Sequence, residues 1–289
     1  MDKQNFVADL HTHSCVSDGT DTPAELVKKA KAQGIAVLAL TDHDTTFGWD
    51  EAIVVAKKVK LNLIPGIEVT CKHAGKTMHL LAYLPDPDNN ELVKTFATQR
   101  EFRETRAKRI VQRLAKDYDI SWEDLITEFP NKSMTIGRPH IADTLVKLGH
   151  FKDRTEVFDT ILQHNSPYVI HQKKISAAEA LKMVHSAGGV TVVAHPMGSN
   201  RNAYTIADIK ELVYLGLKGV EVYHREHSKA HQEELKKFAK KHDLIVTGSS
   251  DYHGTGKPNK LAENTTTLKA VKKIIELASG TPPILFSNF

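Results

Sequence analysis

The stretch that decides the fold runs from Phe6 to Gly19 and reads FVADLHTHSCVSDG. Its apolar start predicts a short strand, and two histidines, His11 and His13, follow directly. Side chains at positions i and i+2 of an extended chain point the same way, so both imidazoles can face one point in space. Imidazoles and carboxylates are the ligands of zinc, manganese and iron sites. The stretch therefore predicts the beginning of a metal site at the end of a strand.

Two further clusters repeat this arrangement of an apolar run followed by aspartate and histidine. Asp42 and His43 follow one predicted strand, and Asp251 and His253 follow another near the C-terminus. A single Asp–His pair is usually a surface or capping pair. Three clusters, each after a predicted strand, instead indicate one shared site, because barrel enzymes place their chemistry at the C-terminal ends of their strands.

A predicted hairpin adds another carboxylate and another histidine. Glu68 lies in an apolar strand, where a carboxylate is costly unless it is paired or ligated. The alternative for Glu68 is an edge position that faces water. His79 lies on the returning strand, so we expect the two side chains to meet across the hairpin. His195 directly follows a third predicted strand, Val190–Ala194.

Outside one central segment, predicted strands alternate with predicted helices. The start of the first helix is marked by Thr22 as N-cap, Pro23 in the first turn and Glu25 three residues after the cap. Such alternation predicts an α/β fold with a mostly parallel sheet, here a barrel. Residues 90–172 contain several predicted helices and no clear strand. We interpret them as a helical insertion into a barrel formed by residues 1–89 and 173–289.

The predicted insertion also carries the basic character of the chain. The net charge of the whole chain is +4, whereas residues 94–116 hold eight Lys or Arg and two Glu, a local balance of +6. The remainder is slightly acidic. This uneven distribution indicates a local anionic ligand rather than nucleic-acid binding over the whole surface.

Two arginines of this basic helix share its apolar face. At about 100° per residue, Arg103 and Arg106 fall beside the apolar stripe and face inward. An inward-facing arginine pair needs an anion, either a partner carboxylate or a substrate phosphate, and we favour the phosphate. Arg138 and His140 are candidates to join them. Pro139 is expected to start a helix there, and a helix N-terminus favours anions.

Seven motifs occur in an order that resembles a known family. DLHTHSCVSDG, ALTDHDTTFG, GIEVT, VVAHP and GSSDYHG resemble the PHP (polymerase and histidinol phosphatase) family over nearly the whole chain. RETRA at Arg103 and GRPHIA at Gly137 extend the resemblance to a subgroup of small bacterial phosphoesterases that act on nucleoside 3',5'-bisphosphates and short RNA. The resemblance implies a distorted (β/α)7 barrel, TIM-like in outline, which is the PHP fold.

The resemblance also implies a division of the ligands among two to three divalent metal ions, with Glu68 bridging two of them. The three implied sets are His11, His13, Glu68 and Asp251; Glu68, His79 and His195; and Asp18, His43 and His253. Asp9 and Asp42 lie beside ligands, and we expect each to accept the far N–H of a histidine and so fix its tautomer. Imidazole with carboxylate admits manganese, iron and zinc, of which we expect manganese.

Closely spaced divalent metals suit phosphoester hydrolysis, because they activate water, hold the phosphate and neutralise the leaving oxygen. We expect metal-bound water to attack, without a protein nucleophile. The resemblance implies removal of the 3'-phosphate from nucleoside 3',5'-bisphosphates, as in pAp to AMP, with 5'-to-3' trimming of short 5'-phosphorylated RNA as an additional activity. The 5'-phosphate is expected on the arginines.

Two alternatives stay open at this point. A histidinol-phosphate-type phosphatase acting on a small phosphomonoester would leave the arginines unused. A metal- or nucleotide-binding module without turnover would not need the full ligand set.

Cys15 and Cys71 provide no disulfide framework, and neither a signal peptide nor a run of about 18 apolar residues is seen. We therefore expect a cytoplasmic protein that does not enter a membrane and has no evident protein partner.

Overall fold

The computed structural model of the chain describes residues 6–129, 136–163, 165–171, 173–198 and 203–286. These residues include a seven-stranded sheet whose strands lie side by side in chain order. The strands are β1 (Ala8–Asp9), β2 (Val37–Leu40), β3 (Asn62–His73), β4 (Lys76–Tyr83), β5 (Val190–Val193), β6 (Gly219–Tyr223) and β7 (Ile245–Gly248).

Helices surround this sheet and fill the segment between β4 and β5. The helices are α1 (Pro23–Ala32), α2 (Trp49–Val59), α3 (Asn90–Leu114), α4 (Trp122–Glu128), α5 (Arg138–Lys147), α6 (Arg154–Thr160), α7 (Ala177–Ser186), α8 (Ile206–Tyr214), α9 (Lys229–Lys241) and α10 (Leu268–Leu277). Thr22 and Glu25 form the predicted capping box at the start of α1. No helix in the described ranges has both the length and the apolar character needed to cross a membrane.

The sheet is parallel except around its fourth strand. The β1–β2–β3 and β5–β6–β7 pairs are parallel, whereas β4 runs antiparallel to both β3 and β5. A parallel bridge between Thr12 and Tyr252, just beyond β1 and β7, brings the first and last strands together. The sheet is therefore a nearly closed barrel, and the expected α/β barrel with a distorted, mostly parallel sheet is confirmed.

Burial divides the apolar residues between the barrel and the helical segment. Strands β2 and β5 are buried along their whole length, as expected for parallel strands that helices cover on the outside. Helices α3–α6 pack around a separate apolar cluster that includes Ile110, Leu125 and Ile141. Helix α3 links the two, because its Leu92 and Phe96 pack into a barrel cluster. The boundaries at residues 90 and 172 stay a prediction.

Candidate metal centre and adjoining anion pocket

The nine predicted ligands converge where the strands of the barrel end. Three groups of imidazole nitrogens and carboxylate oxygens have all their ligand atoms within 4.8 Å of one another. The groups are His11, His13, Glu68 and Asp251; His13, Asp18, His43 and His253; and His43, Glu68 and His79. The first set equals an implied set, and the second adds His13 to another. The third has His43 where the implied set has His195.

Glu68 lies at the centre, because both of its carboxylate oxygens face histidine nitrogens. Its Oε1 lies 2.9 Å from His79 Nδ1 and 3.1 Å from His195 Nε2. Its Oε2 lies 3.2, 3.1 and 3.3 Å from ring nitrogens of His11, His13 and His43. The hairpin register pairs His79 with Thr70 rather than with Glu68, so the two side chains meet diagonally across the hairpin. The geometry therefore allows the bridging position expected for Glu68.

Several ring nitrogens fit the role of metal ligands. Among the described residues, His11 Nε2, His13 Nε2, His43 Nδ1 and His253 Nε2 are buried and form no hydrogen bond. The Nδ1 of His253 lies 2.8 Å from the carbonyl oxygen of Asp251, to which it donates. Its Nε2 then carries the lone pair that a metal requires and faces Asp18 Oδ1 at 3.2 Å. These donor types suit a divalent transition metal.

The electrostatics of the cluster keep its carboxylates ionised and some of its imidazoles neutral. Burial alone would raise the pKa of Glu68, but the neighbouring His43, His11 and His79 hold it well below its usual range. Burial, with Lys257 and His13 nearby, lowers the pKa of His253 to about 4. Although burial lowers the pKa of His13, Asp251 and Glu68 raise it to about 9. Metal binds ionised carboxylates and neutral imidazoles, so a metal ion would displace the proton of this imidazole.

Three residues that follow barrel strands adopt a left-handed backbone conformation without being glycine. Asp44, His195 and Asp251 have φ values of 52°, 28° and 53°. Such values are uncommon for residues other than glycine, and they persist where the surrounding structure holds them. All three follow strands β2, β5 and β7, so the strained turns aim these side chains at the strand ends.

Glu221 of β6 holds two of the candidate ligands in place, and the sequence reasoning missed it. Its Oε1 lies 3.3 Å from His11 Nδ1, and its Oε2 accepts a 2.8 Å hydrogen bond from the backbone N–H of His195. Although burial would raise the pKa of Glu221, the nearby His11 lowers it to about 2. The signal was present, since Glu221 is an acid inside an apolar strand, as Glu68 is.

The expected contacts of Asp9 and Asp42 are wrong in detail. Asp9 accepts backbone N–H groups of Ser250 and Ala262 at 3.0 and 2.8 Å. Asp42 accepts the hydroxyls of Ser14 and Ser17, each at 2.6 Å. Both carboxylates therefore fix the loops that carry ligands. The role of accepting a far imidazole N–H belongs to Glu221, because β6 brings it within reach of His11.

A pocket of about 660 Å³ extends from the metal centre to the basic residues of the helical segment. At one end its wall includes Asp18, His43 and His79. At the other end its wall includes Arg103, Arg106, Arg138 and Lys174. The structure therefore places the candidate metal ligands and three of the four predicted substrate residues around one cavity.

Arg103 has a carboxylate partner, which was the alternative to a substrate phosphate. Its Nη2 donates to Asp44 Oδ2 and, at 2.6 Å, to Thr70 Oγ1. Asp44 is fully buried, and its Oδ1 accepts the backbone N–H of Thr70 at 2.7 Å. This contact fixes the guanidinium at the junction between the metal loop and the pocket.

The other cations at this end outnumber the carboxylates. The buried Nε of Arg106 forms no hydrogen bond within the described part of the chain. Burial and the neighbouring Arg103 and Arg138 lower the pKa of Arg106 to about 9, so its guanidinium stays charged at neutral pH. Burial and these three arginines lower the pKa of Lys174 to about 8. In the part of the chain that the structure describes, Asp44 is the carboxylate that pairs with one of these four cations, and the remaining positive charge favours an anionic ligand.

The sequence reasoning missed Lys174, because this residue lies in a loop without periodicity. His140 was predicted to bind substrate in this pocket, but it does not line the pocket. The imidazole of His140 is buried, and its Nδ1 accepts the backbone N–H of Gly137 at 3.0 Å. That contact shapes the start of α5, where Arg138 lies. A direct contact of His140 with substrate stays a prediction.

A nearly closed α/β barrel with imidazoles and carboxylates gathered at its strand ends is the arrangement of a metal-dependent barrel enzyme. The chain belongs to the PHP domain family, because the model of that family matches residues 9–163, more than half of the sequence. It is a metal-dependent hydrolase that acts on phosphoric esters, as the following relatives indicate.

Two relatives and one solved structure illustrate the similarity. A 5'-3' exoribonuclease from Haemophilus influenzae is 32% identical over 246 residues, which make up 85% of this chain and 89% of the relative. A 3',5'-nucleoside bisphosphate phosphatase from Chromobacterium violaceum is 32% identical over 252 residues, 86% of this chain and 87% of the relative. The solved structure of a candidate metal-dependent phosphoesterase from Bifidobacterium adolescentis is 39% identical, with a TM-score of 0.92, and the match covers 94% of this chain and 96% of that one.

Proposed function

We propose that this enzyme removes the 3'-phosphate of nucleoside 3',5'-bisphosphates and also trims short 5'-phosphorylated RNA from its 5' end. The observation that carries the proposal is the single pocket between the histidine–carboxylate cluster and the four cations. A ligand that satisfies both ends needs two anionic groups separated by about a nucleoside. A small phosphomonoester has one such group, so it would leave Arg106 and Lys174 without an anion.

The residues of the chain divide the work between the two ends. Arg106, Arg138 and Lys174 bind the 5'-phosphate, while Asp44 keeps Arg103 aimed at the same end. Binding the remote phosphate positions the 3'-phosphate, and remote binding energy of this kind raises kcat/KM. The nine predicted ligands would hold the metal ions, which when bound would polarise the phosphate and activate water. Glu221 keeps His11 in the tautomer that presents Nε2 to the site.

Further details belong to the same proposal. We propose two to three divalent metal ions, of which manganese is expected and iron or zinc are the alternatives. The three overlapping groups of ligand atoms support more than one ion. The proposed partners are the nucleotide or short RNA substrates, and the proposed location is the cytoplasm. The names of the two curated relatives support both substrate classes.

The test measures phosphate release and identifies the nucleoside product, with protein treated with chelator and then reloaded with manganese, iron or zinc. Adenosine 3',5'-bisphosphate should yield 5'-AMP, whereas 3'-AMP as the product would show that the assigned orientation is reversed. Adenosine 3'-monophosphate, which lacks the 5'-phosphate, should lose most of kcat/KM. Rapid hydrolysis of histidinol phosphate without hydrolysis of the bisphosphate would establish the small-molecule alternative.

For RNA, the same geometry predicts a requirement for a 5'-monophosphate end. A short oligoribonucleotide with this end should release 5'-mononucleotides one at a time. The same oligoribonucleotide with a 5'-hydroxyl end is the matched control and should be degraded much more slowly. Equal rates for the two oligoribonucleotides would show that the four cations do not recognise the 5' end of RNA.

A further inference from the structure

The barrel closes through two loops that each carry a candidate ligand. The backbone N–H of Thr20 donates to the carbonyl of His253 at 3.2 Å, and the backbone N–H of Thr255 donates to Thr20 Oγ1 at 2.9 Å. Asp18 lies on one side of this seam and His253 on the other, with Oδ1 and Nε2 3.2 Å apart. The separation of these two ligands therefore depends on how the two loops are held together.

Arg154 of α6 spans this seam from the helical segment. Its Nη1 donates to the carbonyl oxygen of Asp18 at 3.4 Å and to that of Gly256 at 3.3 Å. One guanidinium group therefore joins the loop after β1 to the loop after β7. A Cβ atom at Gly256 would collide with the guanidinium, so this close approach requires glycine.

Asp143 of α5 fixes the orientation of this guanidinium. Its two carboxylate oxygens accept from Nε of Arg154, at 2.7 Å, and from Nη2. Such bidentate pairing restricts the plane of the guanidinium and leaves Nη1 directed at the seam. The Asp143 side chain is 30% exposed, and partly exposed ion pairs contribute little to stability. We therefore expect the pair to orient the loops rather than to hold the fold together.

We propose that Arg154 is a positioning residue for the metal group formed by His13, Asp18, His43 and His253. It acts through the two loop carbonyls and touches none of the four ligand atoms. Helix α5 carries Arg138 at its start and Asp143 further along, so one helix serves both the anion pocket and the metal group. The inference goes beyond the proposed function, because it holds for any substrate of this site.

The test is a Mn²⁺ titration of the metal-free full-length protein by isothermal titration calorimetry, with Asp18→Asn as the benchmark. Asp18→Asn removes a ligand of this group alone and identifies the ion that the group binds. Arg154→Ala should lower the affinity for the same ion by about 10- to 100-fold, which is the usual effect of losing a partner that orients a ligand. The remaining ions should bind within about twofold of the wild type. The double variant should show no further loss, because both changes act on one group.

Arg113→Ala is the matched control. Arg113 also joins two backbone carbonyls through Nη1, those of Pro167 and Val169 at 2.8 and 3.3 Å, but within the helical segment. It should leave the isotherm unchanged. Gly256→Ala displaces the guanidinium of Arg154 without deleting it. This variant should lower the affinity for the same Mn²⁺ ion that Arg154→Ala affects.

Three results would overturn the proposal. The first is a wild-type isotherm for Arg154→Ala in a folded protein. The second is an equal loss for all ions together with a lower Tm, which would assign Arg154 to general packing. The third is an unchanged isotherm for Asp18→Asn, which would show that this group of ligands does not bind Mn²⁺. Should Arg154→Ala fail to fold, Arg154→Lys and Gly256→Ala decide, and unchanged Mn²⁺ binding in both would contradict the proposal. None of these outcomes depends on which phosphoester the enzyme hydrolyses.

Discussion

The metal centre and the anion pocket share one cavity but are built on opposite electrostatic principles. In the metal centre, imidazoles lie next to carboxylates, and the one carboxylate of Glu68 faces five histidines. In the anion pocket, Asp44 is the one carboxylate among the described residues that forms an ion pair with any of the cations Arg103, Arg106, Arg138 and Lys174. The first region balances much of its own charge. The second has an excess of positive charge, and an anionic ligand would balance it.

The largest effect is expected at the centre of the metal cluster. Glu68→Gln removes a charge that two of the three groups of ligands share, and several kcal/mol of transition-state stabilisation depend on bound metal. We expect kcat/KM to fall by about a thousandfold or more, since each 1.36 kcal/mol is about tenfold. Exposed Glu233→Gln on α9 is the control. Full activity of Glu68→Gln, or of wild-type enzyme shown by metal analysis to be free of metal, would contradict the metal mechanism.

The next effect separates two arginines that the helix pattern alone treats as equal. Arg103→Ala leaves the carboxylate of Asp44 buried and unpaired, and breaking a buried pair costs about 3–5 kcal/mol. Arg106→Ala removes a cation whose neighbours are also cations. The free energy of unfolding of this variant should therefore stay within about 1 kcal/mol of the wild type. Denaturant unfolding measures both variants. Equal stabilities would mean that the Arg103–Asp44 pair does not hold this end of the pocket.

Arg106 then reports on binding rather than stability. Loss of one hydrogen bond to a charged group costs about 1.5–3 kcal/mol, so Arg106→Ala should raise KM for adenosine 3',5'-bisphosphate roughly 10- to 100-fold. The effect on adenosine 3'-monophosphate should be much smaller, because that substrate has no 5'-phosphate. Steady-state kinetics on both substrates make the test. Equal increases would show that Arg106 shapes the pocket without binding the 5'-phosphate.

The smallest predicted effect is a pH dependence set by Lys174. Its pKa of about 8 means that the free protein loses this charge as the pH rises through 8. Binding of 5'-AMP to metal-free protein should therefore weaken roughly five- to tenfold between about pH 7.5 and 9. Below about pH 6 the phosphate itself becomes a monoanion, so affinity should also fall there.

Calorimetry on variants at adjacent positions tests this assignment. Lys174→Arg should move the alkaline decrease to higher pH, because a guanidinium loses its charge at a higher pH than an ammonium group in the same surroundings. Exposed Lys173→Arg should leave the profile unchanged. An alkaline decrease that persists unaltered in Lys174→Arg would assign it to another group.

The sequence by itself determined the barrel, its helix starts and the set of candidate ligands. These features follow local rules: His11 and His13 share a direction because they are two residues apart in an extended chain, and Thr22 caps α1 through Glu25 three residues later. Local geometry is nearly independent of the rest of the fold, so it can be inferred from neighbouring residues. The inward face of α3 was likewise predicted from helical periodicity, and Ala107, Ile110 and Leu114 of that face are buried.

Only the tertiary structure decided which partner each charge finds. Arg103 pairs with Asp44 across 59 positions, and Arg154 reaches Asp18 across 136. Asp9 and Asp42 turned out to fix loops, whereas the acceptor for His11 is Glu221, which lies 210 positions further along the chain. A side chain of one sign has many possible partners in a sequence. The selection among them depends on which strands and helices the fold places within about 4 Å of each other, the range over which a close ion pair forms.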